Sequence, residues 1–139
     1  MASELTLRVI TPEKVVIDTT ATSVRVTATD GSMGIFPRHA PMVAALDAGP
    51  LSFTANGREH MLFVAGGFAE VRGNTLRILT AAGEDPSEID VERARSAEER
   101  ARERLKPART GMTAAEAKID IARANAALRR AIMRLKVHG

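Results

Sequence analysis

The apolar residues of this 139-residue chain change their period once, near residue 81, and that change limits the fold more than any single motif. Before it, Leu5, Leu7 and Val9 alternate with Thr6 and Arg8, while Val24, Val26 and Ala28 alternate with Ser23, Arg25, Thr27 and Thr29. A period of two sets one face of an extended strand against a core and leaves the other in water. After it, apolar residues recur at three- and four-residue spacing, the pattern of helices with one buried stripe. Two regions follow: a β domain over 1–82 and a helical domain over 83–139.

Turn signals divide the first region. Thr11-Pro12 ends the first strand and Asp30-Gly31 the third. Asp47-Ala48-Gly49-Pro50 reads as a turn after a strand at 42–46, and Asn56-Gly57 is a strong two-residue hairpin signal between alternating runs. Gly73-Asn74 sets off a last strand over 75–80. Seven or more short strands, with no room for crossover helices, predict an antiparallel β-sandwich or flattened barrel. Gly66-Gly67 inside an apolar run predicts either a bulge or a close backbone approach between sheets.

Residues 81–87 (AAGEDPS) read as a polar linker. Ser87 with Asp90 resembles a capping box opening a helix whose stripe is Val91, Ala94, Ala97, Ala101 and Leu105. Pro107 and Gly111 break the pattern. Thr113 with Glu116 is a second capping box, and Ile121, Ala124, Leu128, Ile132 and Leu135 form the stripe of a longer helix. The pair predicts an antiparallel α-helical hairpin. The alanines of its stripes bury little area, so either a switch between docked and open hairpins or a plain solvated hairpin with pairs such as Glu98 and Arg102 fits them.

Charge is unevenly placed. Residues 1–80 hold seven basic and seven acidic side chains, and 81–139 hold thirteen and ten. Beyond Ile121, Arg123, Arg129, Arg130, Arg134 and Lys136 face no acidic residue. A basic helical-hairpin adaptor for nucleic acid is therefore the alternative function, opposed by the acidic residues of the first helix and by the lack of aromatics on the basic face. Cysteine is absent, which excludes disulfides and thiolate metal sites. No phosphate-cradling glycine loop or nucleophile elbow is present, and His39 and His60 lack partner carboxylates, so no catalytic residue, metal site or required cofactor is expected. The longest apolar stretch, 61–69, is too short to cross a bilayer and the amino terminus lacks a signal pattern, so a soluble chain is expected, reaching a membrane only through partners.

One segment does not fit a solvated loop. Residues 31–41, GSMGIFPRHAP, combine two glycines and two prolines with apolar Met33, Ile35 and Phe36. A stiff apolar loop either plugs its own domain or is covered by a partner. The string resembles the GxxGIxPxHAP signature of the epsilon subunit of F-type ATP synthases, and the MLFVAGGFAEV run thirty residues later strengthens the resemblance. Gly34, Ile35, Pro37, His39, Ala40 and Pro41 match it individually, whereas Ser32 stands where many bacterial members carry an acidic residue.

The resemblance covers nearly the whole chain and implies a noncatalytic central-stalk subunit, coupling ion-driven rotation to ATP synthesis and inhibiting hydrolysis through its helices. It implies gamma, c-ring, alpha and beta subunits as partners, without nucleic acid, at the cytoplasmic face of a bacterial membrane. It places the gamma and c-ring contact at Ser32, Gly34, Ile35, Phe36, Pro37, Arg38 and His39, and an inhibitory contact with beta at Arg123, Arg129, Arg130 and Arg134. Some members bind regulatory ATP through an I/L-D-x-x-R-A motif, matched here by Ile89, Asp90, Arg93 and Ala94. By that resemblance Glu84, Arg100, Arg130 and Arg134 join the ATP-binding set.

Overall fold

The computed structural model describes residues 3–106 and 113–139, so the break expected at Pro107 and Gly111 lies outside the described residues. The chain forms β1 (Leu5–Ile10), β2 (Val15–Ala21), β3 (Ser23–Ala28), β4 (Gly31–Ile35), β5 (Met42–Ala55), β6 (Arg58–Arg72), β7 (Thr75–Leu79) and β8 (Gly83–Glu84). After a 3-10 turn at Pro86–Glu88 come α1 (Val91–Arg104) and α2 (Ala114–His138). Strand order is β2-β1-β7-β6-β5-β3-β4, unclosed, with β8 also pairing β6. Asn56 and Gly57, at φ 53° and 73°, make the expected tight hairpin between β5 and β6. Every described pair is antiparallel except β1 with β7, which runs parallel.

The sandwich arises from bending two long strands. In β6 the inward residues are Leu62 and Val64, then Ala69 and Val71; in β5 they are Leu46, then Leu51, Phe53 and Ala55. The buried parity changes in both strands at the same level, so each strand contributes one half to each layer. Asp47-Ala48-Gly49-Pro50 is thus a bend inside β5 and not the expected turn. Its neighbours explain this: Thr27 donates its hydroxyl to the Pro50 carbonyl at 2.9 Å, and a Cβ on Gly49 would lie 2.6 Å from that hydroxyl oxygen. Gly66 and Gly67, at φ 96° and 109°, make the matching bend. The β5–β6 register is the same on both sides of it, Leu46 opposite Gly67 and Ala48 opposite Ala65. A Cβ on Gly67 would collide with the Leu79 carbonyl oxygen, so the glycine pair serves a close backbone approach and not a β5–β6 bulge.

The segment read as a linker is ordered differently from expectation. Asp85, followed by Pro86, caps the 3-10 turn: its carboxylate accepts from Ser87 N–H at 3.0 Å, and Glu88 accepts from Asp85 N–H at 3.2 Å. Asp90 is then the N-cap of α1, accepting from Arg93 N–H at 3.0 Å. The Ser87–Asp90 capping box is therefore corrected to two successive aspartate caps, because proline's fixed φ starts the turn at Pro86 and the extended Ile89 ends it. Thr113 and Glu116 form their reciprocal box as expected, at 3.1 and 3.2 Å.

The helices lie against each other as a hairpin, and four of their buried residues are Ala94, Ala101, Ala124 and Ala131. Burial follows these seven-residue spacings of small side chains and not the larger apolar ones. Ile121, expected in the stripe, is instead 48% exposed. A second, smaller apolar cluster of Ala48, Phe63, Ile89 and Val137, with Ala65 and Met133, joins the hairpin to the sandwich.

Candidate functional site

Half of the 31–41 segment is strand. β4 pairs β3 antiparallel, with Val24 opposite Ile35, which drives Ile35 wholly into the sandwich core. Its side chain therefore cannot meet gamma or the c-ring as expected; it holds the strand in place. The chain then turns at Pro37 and Arg38. Arg38 takes a left-handed φ of 64°, fixed by its N–H donating to Asn74 Oδ1 at 2.9 Å, while Asn74 Nδ2 donates to the Glu4 carbonyl at 2.8 Å. His39 N–H closes the turn on the Phe36 carbonyl at 3.2 Å, and its ring Nδ1 lies 2.7 Å from the Ala40 carbonyl. Ser32, Phe36 and Arg38 face outward, with Phe36 59% exposed, and Gly34, Pro37 and His39 are half-buried. Ser32 accepts a hydrogen bond from Arg25 at 3.1 Å. The segment does both things open to it: Ile35 plugs the core while Phe36 is presented on a rigid turn.

A second site lies where the hairpin meets β8 and the 3-10 turn. A cavity of about 880 Å³ is lined there by Glu84, Asp90, Arg93, Ala94, Arg100, Arg130 and Arg134 among others. All but one of the residues implied for ATP binding are thus brought together. Ile89 is the exception, buried instead with Phe63 and Val137. Glu13, Glu88 and Arg104 also line the cavity and were missed, since nothing in sequence brings β-domain residue 13 beside the helices. Arg134 is already committed: its Nε donates to both Glu84 oxygens at 3.0 and 3.2 Å, and its guanidinium lies 4.5 Å from the Phe63 ring centroid. Among the described residues, Arg93, Arg100, Arg104 and Arg130 form no ion pair, leaving four guanidiniums for an anion.

The cationic helix segment is divided by the fold. Arg129 donates from Nε to the Ala48 carbonyl at 3.0 Å and lies 4.0 Å from Asp47, so with Arg134 it fastens α2 to the sandwich. Arg123 is exposed. Among the described residues, no group of three or more His, Asp or Glu is placed to hold a metal.

A third feature went unread in the sequence: the outer face of the layer formed by β2, β1, β7 and the adjoining halves of β6 and β5. Ile10, Leu79, Phe68 and Ala45 stand opposite one another in register across it. Leu79 is 44% and Phe68 55% exposed, and nearby Val43 and Val15 are more so. The available signal was apolar bulk at strand positions whose alternation points outward.

Both domains have relatives. A family described as "ATP synthase, Delta/Epsilon chain, beta-sandwich domain" matches residues 4–86, and one described as "ATP synthase, Delta/Epsilon chain, long alpha-helix domain" matches 87–139. The chain belongs to the ATP synthase delta/epsilon family. A protein of Nitratidesulfovibrio vulgaris (strain DP4) named ATP synthase epsilon chain is 40% identical over 139 residues, covering 100% of this chain and 98% of the relative. One of Moorella thermoacetica with the same name is 44% identical over 140 residues, covering 100% and 98%. Among solved structures, a chain of the Euglena gracilis mitochondrial ATP synthase OSCP/F1/c-ring assembly superposes with a TM-score of 0.76 at 21% identity, over 96% of this chain and 79% of that one. At that identity the likeness shows the family fold alone. No described helix is long and apolar enough to cross a membrane.

Proposed function

We propose that this chain is the noncatalytic epsilon subunit of a rotary F-type ATP synthase, seated in the central stalk, where it couples ion-driven rotation to ATP synthesis and restrains hydrolysis. The observation that carries the reading is full-length likeness to epsilon chains at 40–44% identity, spanning sandwich and hairpin together. The solved relatives support the same setting, being parts of F1/c-ring and central stalk/c-ring assemblies. Gamma and the c-ring are then the partners of the β domain, with Phe36, Arg38 and Ser32 as outward contacts of the turn. Alpha and beta subunits are the partners of the helices. The complex sits on the cytoplasmic face of a bacterial membrane. The division of labour falls near residues 83–87.

Nucleic acid is the weaker reading, because Arg129 and Arg134 are spent on the sandwich and do not present a continuous basic face. In the docked hairpin these two arginines are also withheld from a beta subunit. Inhibition through Arg123, Arg129, Arg130 and Arg134 therefore requires the hairpin to open. The decisive experiment adds the full chain, or a chain ending at Glu88, to a complex depleted of this subunit. Both should restore coupled synthesis, and only the full chain should suppress hydrolysis. Failure of the full chain to assemble would overturn the reading.

A regulatory ATP fits the helix–sandwich cavity. Its volume lies in the range of small-molecule sites, and Arg93, Arg100, Arg104 and Arg130 offer donors for a triphosphate. Because α1 supplies Arg93 and α2 supplies Arg130, the nucleotide would favour the docked hairpin by differential affinity. Calorimetry on the full chain should show a heat of ATP binding that Arg93→Ala and Arg130→Ala each remove. No heat at millimolar ATP in the unsubstituted chain would exclude the site.

A further inference from the structure

We propose that Asp47 and Glu84 of the sandwich mask the cations of α2: in the docked hairpin they occupy Arg129 and Arg134 in place of the carboxylates of an acidic partner surface, and inhibition goes only as far as that surface displaces them. The proposal rests on the reading that α2 restrains hydrolysis through these arginines, and it names the sandwich groups that oppose it.

The two anchors lie on either side of β6. Ala48 stands opposite Ala65 in the β5–β6 pair, and Glu84 stands opposite Phe63 in the β6–β8 pair. Between them, Met133 and Val137 of α2 join Phe63, Ala48 and Ala65 in one apolar cluster. On the β5 side, Arg129 Nε donates to the Ala48 carbonyl at 3.0 Å and its Nη2 lies 4.0 Å from an Asp47 oxygen. On the β8 side, Arg134 Nε donates to both Glu84 oxygens at 3.0 and 3.2 Å, with its guanidinium 4.5 Å from the Phe63 ring centroid. The segment leading to Glu84 is itself tied to the sandwich. Ala65 N–H donates to the Ala82 carbonyl at 3.0 Å, and Thr80 Oγ1 donates to the same carbonyl at 3.1 Å. Both carboxylates therefore stay with the sandwich when α2 leaves.

Partial exposure makes these pairs exchangeable. A fully buried ion pair is costly to break and a fully exposed one holds almost nothing. The side chains of Arg134 and Glu84 are each 26% exposed and those of Arg129 and Asp47 each 42%, so water and a competing carboxylate reach both guanidiniums. Beyond Ile121 the chain has no acidic residue to serve Arg123, Arg129, Arg130, Arg134 and Lys136 locally. Arg129 and Arg134 therefore take their carboxylates from the sandwich when docked and from the partner when open. The two states exchange like contacts for like, which keeps the free-energy difference between them small enough for a switch. Arg123 is exposed even in the docked hairpin, so an acidic surface can engage α2 before either anchor parts.

The test removes the masking charges and keeps the arginines. The chain has no cysteine, so spin labels on Arg58→Cys and Lys118→Cys, both exposed sites, report the distance between sandwich and α2 in the full chain without nucleotide. The ratio of open to docked hairpin should rise about tenfold in Glu84→Gln and about twofold in Asp47→Asn, whose pair is longer and more exposed. In the reconstituted complex, Asp47→Asn should suppress hydrolysis more strongly than the unsubstituted chain. In an Arg129→Ala background the same substitution should change nothing further, a dependence that a merely structural role of Asp47 would not produce. Unaltered melting of the sandwich excludes misfolding as the cause. If the unsubstituted chain suppresses hydrolysis and both acid variants suppress it equally at unchanged label distances, the proposal is overturned while the inhibitory reading stands. Wider distances without stronger suppression also overturn it. If the unsubstituted chain assembles but does not suppress hydrolysis, the inhibitory reading falls and the proposal with it.

Discussion

The sandwich and the hairpin are stabilised by different means. Leu5, Leu7, Val9, Leu51, Leu76 and Ile78 fill one continuous core between two layers, where each buried aliphatic side chain contributes about 1.5–3 kcal/mol. The hairpin seam buries alanines, and the attachment of α2 to the sandwich depends on a small apolar cluster plus two arginines. Each alanine contributes only a fraction of a leucine's burial. The β domain therefore has a deep minimum, and the docking of the helices a shallow one. A rigid module that holds its partner and a helical module that can leave are what those two depths provide.

The largest expected effect is a break in the first module. Ile35→Asp places a charge in a core position with no exposure, and should cost about 4 kcal/mol or more. Chemical denaturation of the full chain should show the whole sandwich lost or its midpoint greatly lowered. If the variant folds like the original and only partner binding falls, the description of Ile35 as a core residue is wrong.

That residue also shows where sequence reading stops. The alternation in β1 and β3, the Asn56-Gly57 hairpin and the Thr113–Glu116 cap are local, and each could be read from a few neighbouring residues. Asp47-Ala48-Gly49-Pro50 carries turn chemistry too, but whether such a string reverses the chain or bends it between layers depends on Thr27 and on β6, far away in sequence. Ile35 matched a signature whose other members are half-buried or exposed, and only its register opposite Val24 shows that it points in. The cavity was largely legible through the resemblance, whose motif is matched at Asp90, Arg93 and Ala94 and which adds Glu84, Arg100, Arg130 and Arg134. Glu13 was not, since it meets the helices only once the hairpin packs on the sandwich, nor was the row Ile10, Leu79, Phe68 and Ala45, which comes together only through cross-strand pairing.

A smaller effect sharpens the comparison at the attachment. Arg134→Ala removes a two-oxygen ion pair with Glu84 and a guanidinium stacked on buried Phe63, groups only 26% exposed in the pair. Charge-assisted bonds of this kind are worth about 1–3 kcal/mol. Hydrogen exchange in α2 should accelerate by about tenfold or more, while amides of β1, β6 and β7 keep their protection. Equal acceleration in the sheet would mean that the two modules unfold together and that the shallow minimum does not exist.

The smallest effect lies in the turn between the modules. Ser87, through its hydroxyl and its N–H, holds the Asp85 carboxyl below its usual value; weak burial opposes this and His60 adds slightly to it. A carboxyl lowered on folding contributes stability that is present above its unfolded pKa, about 3.9, and lost as pH falls through its folded value. Asp85→Asn should therefore cost about 1 kcal/mol or less near pH 7, since asparagine still caps. The difference from the unsubstituted chain should narrow as the pH falls from 4 towards 3, when Asp85 itself becomes neutral. Local exchange of the Ser87 and Glu88 amides in the 3-10 turn, followed over that range in both chains, measures the gap. A gap unchanged from pH 7 to pH 3 would mean that the negative charge on Asp85 contributes nothing and that the cap acts through hydrogen-bond geometry alone.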